Sequence, residues 1–153
     1  LFEEFLKLAA NAHSTLALNV KSDGISQRVR DTLESHSYTN YFVFDMSGPE
    51  FLVYKRAGHP TFTRVSEFEN PNLTIVKPAG VWLDAFESDS WRMDWLLQNS
   101  ALDIPVAIVS PELHGRDYKN FWASLKTSKI HLRETVILCT DLPEDATKFF
   151  RGV

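Results

Sequence analysis

The stretch VAIVSPELHGR, residues 106–116, decides the fold, because an apolar run stops abruptly and gives way to charged residues. Residues 106–110 have the composition of a buried strand. Pro111 ends the strand pairing, since proline has no backbone N–H to donate. An acidic residue, His114 and an arginine then follow within five positions. This pattern indicates a buried strand that opens into a polar loop.

The same alternation of apolar runs and polar segments continues along the whole chain. The runs are almost continuously apolar, as parallel strands are when both faces of the sheet are covered. The predicted strands are 15–20, 41–46, 60–65, 80–86, 104–110 and 135–141. The predicted helices are 1–10, 26–36, 49–58, 88–100, 117–126 and 143–150. Strands that alternate with helices predict a parallel sheet in an α/β domain.

Two parallel architectures fit this alternation, a doubly wound open sheet and a (β/α) barrel. The glycine-rich phosphate loops GxGxxG and GxxxxGK[ST], which are typical of doubly wound nucleotide folds, do not occur in the sequence. Every predicted strand has a charged residue at or near its carboxyl end, which is where parallel α/β folds build their sites. Contributions from all six strands favour the mouth of a barrel over a crevice at one position.

The charged residues at these strand ends are the candidate site. The acidic ones are Asp45, Asp84, Glu112 and Asp141. The three aspartates offer oxygen ligands for Mg²⁺ or Ca²⁺, or else pair with nearby cations. We expect Lys21 and Arg64 to bind phosphate, because neither has an obvious acidic partner nearby in the sequence. His114 is a candidate acid or base. Two simpler explanations stay open. Charged residues mark the strand ends only because strands end at the solvent, and His114 is a hydrogen-bonded loop residue.

Composition narrows the functional classes. The chain has 153 residues, of which 44% are hydrophobic and 24% charged, as expected for one globular domain over 1–153. A net charge of -4 argues against nucleic acid as the main partner. The single cysteine, Cys139, excludes an internal disulfide and is expected to be a buried thiol. No apolar run of eighteen residues and no signal peptide is visible, so we expect no transmembrane segment and a cytoplasmic location.

Five motifs in order resemble the glycerophosphodiester phosphodiesterase-like barrels. They are LALNVKSDG (16–24), YFVFDMSGPE (41–50), GVWLDAF (80–86), VSPELHGR (109–116) and ILCTDLPEDATKFF (137–150). The segment CTDLP resembles the Thr-Asp-x-Pro that closes the eighth strand of that family. FVFD resembles the Phe-Asp of its fourth strand, and LNVK resembles the apolar-Glu-x-Lys of its third.

The resemblance implies a TIM barrel that hydrolyses phosphodiesters with a divalent metal, Mg²⁺ or Ca²⁺. Lys21 matches the family's lysine on the phosphate side of the site, whereas Asn19 stands where the family has a glutamate that binds the metal. Asparagine brings no charge, which weakens a metal site. The His-Arg and Glu-x-Asp pairs of the family's first strands have no counterpart. We therefore expect strands three to eight of a (β/α)8 barrel, inactive alone, with the first two βα units missing and Leu1 falling inside a helix.

On this interpretation the chain supplies the phosphate and alcohol side of a site for a small phosphodiester. The predicted catalytic residues are His114 and Lys21, the predicted substrate-binding residues are Lys21, Asp45, Arg64, Asp84 and Glu112, and the predicted metal ligand is Asn19. Two alternatives stay open. One is a degenerate barrel that binds an anionic small molecule without catalysis, and the other is an unrelated doubly wound domain. A six-strand arc has two open edges, which favours a homo-oligomer.

Overall fold

The computed structural model describes residues 2–12 and 14–152, and Leu1, the predicted start of the first helix, lies outside them. The strands are β1 Leu16–Asn19, β2 Tyr41–Phe44, β3 Phe62–Val65, β4 Gly80–Leu83, β5 Val106–Val109 and β6 Val136–Cys139. The helices are α1 Phe2–Ala12, α2 Ser26–Ser35, α3 Gly48–Arg56, α4 Leu73–Val76, α5 Arg92–Gln98, α6 Lys119–Thr127 and α7 Pro143–Arg151. Short 3₁₀ turns cover Pro111–His114 and Ile130–Leu132. The six predicted strands and the six predicted helices are confirmed.

The strands pair in parallel, as the alternation of strands and helices predicts. In the first sheet β1 lies beside β2, with Leu16 opposite Tyr41 and Asn19 opposite Phe44. The second sheet has the order β3-β4-β5-β6, and in each sheet neighbours in space are neighbours in sequence. The chain is therefore a mixed α/β protein with one two-stranded and one four-stranded parallel sheet.

The chain divides into two compact units, and the division falls inside β3. The first unit contains residues 1–63 and 73–79, and the second contains 64–72 and 80–153. The prediction of a single domain over 1–153 stays a prediction.

The helices of the described residues include none that is long and apolar enough to cross a membrane.

The first unit is built on the apolar faces of its helices and of β1 and β2. One cluster of buried side chains consists of Leu6, Ala9, Leu16, Leu33 and Tyr38. Helix α3 begins where the Ser47 hydroxyl accepts a hydrogen bond from the Glu50 N–H at 3.4 Å, which satisfies one of the free donors at a helix start. Gly58 follows the end of α3 with φ +78°, a conformation that glycine adopts without strain.

The second unit is centred on two fully buried strands. All four residues of β4 and all four of β5 are buried, which is why these segments contain no charged side chain. Strand β6 is paired on one side and is only partly buried. Helix α7 begins with Pro143, as predicted, because the first turn of a helix has no use for the missing N–H.

Helix α5 begins later than predicted and turns a different face inward. Trp91, Trp95 and Leu96 lie at helical spacing and are expected in the core. Leu96 is buried there, whereas both tryptophans are only half-buried. Arg92 is instead fully buried. The reason is that a carboxylate and a backbone carbonyl give the two terminal nitrogens of its guanidinium partners inside the unit.

Candidate functional site

The carboxyl ends of β4, β5 and β6 meet at one edge of the second unit. Each of these strands stops where a polar residue begins, at Asp84, Ser110 and Thr140 respectively. The Ser110 N–H still donates to the Cys139 carbonyl at 2.8 Å, so the ends of β5 and β6 are in register. Because the strands are parallel, their polar end residues share one edge.

Asp84 and His114 form the central pair of this edge. The Nε2 atom of His114 lies 2.7 Å from the Oδ1 atom of Asp84, and the side chains are 24% and 10% exposed. The same Oδ1 atom accepts the Ala85 N–H at 2.8 Å. An ionised carboxylate can only accept hydrogen bonds, so Nε2 is the donor in this pair, and in the neutral form of the imidazole Nδ1 then has the lone pair. Within the described residues no protein group hydrogen-bonds to Nδ1.

Glu112 ties the ends of β5 and β6 together. Its two carboxylate oxygens accept hydrogen bonds from the Ser110 and Thr140 hydroxyls. The Ser110 hydroxyl in turn accepts the indole N–H of Trp122 at 2.8 Å, in the buried interior. Both oxygens of Glu112 are thus engaged by the protein. Its predicted role in substrate binding stays a prediction, and its observed contacts connect the start of the loop that carries His114 to the end of β6.

Two charged side chains hold the segment that follows β4, residues 84–89. Arg116 donates to the carbonyls of Ala85 at 2.7 Å and Phe86 at 2.8 Å. It also donates to both carboxylate oxygens of Asp89, at 3.1 and 3.0 Å, and these hydrogen bonds raise the pKa of Arg116. The backbone N–H groups of the same segment donate to Glu67.

The Glu67 carboxylate accepts three consecutive backbone N–H groups. They belong to Phe86 at 3.0 Å, Glu87 at 3.2 Å and Ser88 at 3.0 Å. Burial raises the pKa of Glu67, but these donors stabilise the ionised form and lower the pKa to about 2. Glu67 therefore stays ionised and bound to the segment over the whole physiological range of pH.

Asp89 also binds the buried Arg92. The Arg92 guanidinium donates to Asp89 and to the backbone carbonyl of Val109, and its central carbon lies 3.9 Å from the centre of the Phe121 ring. Burial lowers the pKa of Arg92, and Asp89 opposes that shift. The sequence offers only a weak signal for this arrangement, an acid three positions before an arginine in a helix start.

Arg64 lies in the second unit with a carboxylate partner of its own. It forms an ion pair with Glu69, in which Nη2 lies 3.1 Å from Oε1. Its guanidinium carbon is 5.6 Å from the centre of the Phe86 ring, and that ring is 5.2 Å from the His114 ring. The expectation that Arg64 has no local partner is wrong, because Glu69 is brought back to it by the turn after β3.

The first unit contains the other predicted residues. Lys21 forms an ion pair with Asp45, whose side chain is 12% exposed, which confirms the alternative that this aspartate pairs with a nearby cation. Asp45 has φ +68°, a backbone conformation that aspartate tolerates better than most residues. Asn19 is exposed at the end of β1 and lines a cavity of 590 Å³. That these residues share a mouth with Asp84 and His114 stays a prediction.

The predicted divalent metal would need several oxygen or nitrogen ligands brought together in one place. Among residues 2–12 and 14–152 no group of three His, Cys, Asp or Glu side chains is arranged to hold a cation. Asp45 and Asp84 are bound to Lys21 and His114. The divalent metal and its predicted ligand Asn19 therefore stay predictions, and no chemical step is assigned to a metal.

The lone cysteine does not add a nucleophile to the site. Cys139 ends β6 and is half-buried rather than buried. Burial, followed by the charge of Asp141, raises the pKa of its thiol. A raised pKa keeps the sulfur protonated, which is the less reactive form.

No protein-family model matches this chain, and neither the curated proteins nor the solved structures include a significant match.

Proposed function

We propose that the second unit carries the acid–base part of a phosphodiester hydrolase that resembles the glycerophosphodiester phosphodiesterases. The observation that carries this proposal is the hydrogen bond between Asp84 and His114 at the carboxyl edge of β4 and β5. A histidine that is oriented by a carboxylate, with its second nitrogen available, is the arrangement used for general acid–base catalysis. The five motifs that resemble the family contain both residues.

The proposed chemistry follows from the protonation of the imidazole. The Nδ1 atom of His114 accepts a proton from the water that attacks phosphorus, or, once protonated, donates one to the leaving alcohol oxygen. The bond from phosphorus to that oxygen breaks, and a phosphomonoester and an alcohol are released. Asp84 holds the ring in place and stabilises its positive charge. This step uses the groups of this chain alone.

We also propose the finer fold, namely strands three to eight of a (β/α)8 barrel. The strand order supports it, because spatial neighbours in both sheets are parallel and consecutive in sequence. A doubly wound sheet instead reverses its winding at a central strand. Eight strands close the usual barrel, so this fold implies two further βα units in the complete barrel.

The second candidate, a degenerate barrel that binds an anionic small molecule, is favoured by a different observation. Asn19 brings no charge to the position of the family's metal ligand, which weakens metal-assisted hydrolysis and leaves binding without turnover. On this reading the site holds a phosphate ester without turning it over.

Phosphorus NMR distinguishes the two candidates. The product of the complete gene is incubated with glycerophosphoethanolamine, with and without added Mg²⁺, and conversion of the diester to a monoester is followed. We expect hydrolysis that falls about 10²-fold or more in His114→Asn, because general acid–base catalysis contributes roughly that factor. His131→Asn is the matched control, since His131 also lies in the second unit and contacts the Leu125 carbonyl.

Three results decide the outcome. Hydrolysis that depends on His114 and not on His131 supports the hydrolase. Hydrolysis that is equal in wild type and His114→Asn overturns the assigned role. Calorimetric binding of glycerol 3-phosphate without any hydrolysis, with or without metal, overturns the hydrolase and favours the binding protein.

A further inference from the structure

The segment of residues 84–89 is held on both sides of its backbone by side chains from other loops. Its carbonyls at Ala85 and Phe86 accept from Arg116, and its N–H groups from Phe86 to Ser88 donate to Glu67. A loop normally leaves these groups to water. Here two opposite charges bind them, which restrains the backbone conformation of the loop.

This segment determines where two neighbours of the histidine lie. It begins at Asp84, whose carboxylate binds His114 Nε2, and it carries Phe86, whose ring packs edge-on to the imidazole at an interplanar angle of 63°. Neither Arg116 nor Glu67 has a hydrogen bond to the imidazole. Each acts on the pair through the backbone that carries Asp84 and Phe86.

A single glycine makes the arrangement geometrically feasible. Gly115 has φ +71° and ends the 3₁₀ turn Pro111–His114. This left-handed residue reverses the chain between His114 and Arg116. The His114 ring then reaches the carboxylate of Asp84, and the Arg116 guanidinium reaches the backbone carbonyls of the same segment.

We propose that Arg116 and Glu67 are positioning residues, which hold the 84–89 segment so that Asp84 and Phe86 keep the His114 ring in one orientation. The description of His114 as an acid or base rests on the proposed function, whereas the positioning itself does not. Charged hydrogen bonds contribute more than neutral ones, which is why a clamp of two ions suits a loop at the mouth of a site.

Proton NMR of the imidazole N–H tests the proposal without an activity assay. A His114 Nε2–H that is bonded to a carboxylate exchanges slowly with water and gives a resolved signal. In Arg116→Gln and Glu67→Gln we expect this signal to broaden or vanish. We also expect the amide protons of Phe86, Glu87 and Ser88 to exchange about 10- to 100-fold faster in Glu67→Gln, the factor that corresponds to one lost charged hydrogen bond.

Matched controls separate positioning from general destabilisation. Arg133→Gln removes a guanidinium that donates to the Ser100 carbonyl, and Glu144→Gln removes an acid from the first turn of α7. Both controls should leave the His114 signal intact. Arg116→Lys should restore it in part, since lysine keeps the charge but cannot make all of the arginine contacts at once.

The outcomes are decisive in both directions. A His114 signal and amide exchange rates that match the wild type in Glu67→Gln and Arg116→Gln overturn the proposal. If Arg116→Gln does not fold, Glu67→Gln and Arg116→Lys decide alone. A clamp that behaves as expected in a protein without hydrolysis leaves this inference standing and overturns only the proposed function.

Discussion

Replacement of Arg92 by methionine tests how the second unit maintains a charge in its interior. The side chain of Arg92 is fully buried, donates to Asp89 and to the Val109 carbonyl, and packs on the Phe121 ring. Methionine keeps the unbranched apolar stem, so the loss of packing is small. What is removed is the charge and its hydrogen bonds.

The expected cost follows from what each partner loses. The buried Val109 carbonyl loses a charged donor, which costs about 1–3 kcal/mol, and the lost cation–π contact with Phe121 adds about 1 kcal/mol. Asp89 keeps a cationic partner, because Arg116 still donates to both of its oxygens. The destabilisation should therefore be about 2–4 kcal/mol, at or below the roughly 3–5 kcal/mol that a fully unpaired buried charge costs.

Urea unfolding followed by tryptophan fluorescence measures this loss in the right part of the chain. All four tryptophans lie within residues 80–153, so the signal reports the second unit. Arg133→Met is the control, since Arg133 contacts a surface carbonyl, and it should cost less than about 1 kcal/mol. A loss below about 1 kcal/mol in Arg92→Met, or a gain in stability, would refute the reasoning, because it would show that the buried ion is dispensable.

Three further substitutions give separate tests. The folded-state pKa of Glu67 is about 2, below the usual 4.5, so its contribution to stability is complete above pH 4.5 and is lost as the pH falls towards 2. Glu67→Gln should therefore lower the free energy of unfolding in urea by about 1 kcal/mol at pH 7, after discounting for solvent exposure, and make it depend less on pH below 4.5. An unchanged pH dependence below pH 4.5 would contradict this. Burial lowers the pKa of His59, which contacts the Tyr41 hydroxyl and the Ser26 carbonyl. Its contribution is complete above pH 6.5 and is lost as the pH falls through its lower folded-state value. Amide exchange within residues 41–59, divided by the intrinsic rate at each pH, should therefore accelerate below pH 6.5, and less steeply in His59→Gln. Gly115→Ala should cost about 1 kcal/mol in urea unfolding from backbone strain alone, because a Cβ there meets no atom within 4 Å, and a larger loss would indicate a steric clash.

The amino-acid sequence by itself determined the order and type of the main elements. Continuous apolar runs such as residues 106–109 are shielded from water only when both faces of the strand are covered, so they predict buried parallel strands. Pro143 and Gly58 mark a helix start and a helix end through their own backbone chemistry. The positions of Asp84 and His114 at strand ends follow from the same local patterns, since both lie just beyond an apolar run.

Only the tertiary structure decided which charges meet. Lys21 and Asp45, or Arg116 and the carbonyls of residues 85 and 86, are separated by 24 or more positions, and their contact depends on strand register and on the loop conformation. The burial of Arg92 likewise has no periodic signal, because an apolar pattern cannot reveal that a charge will find partners inside. Local periodicity is fixed by one segment, whereas the pairing of charges requires several segments to have folded together.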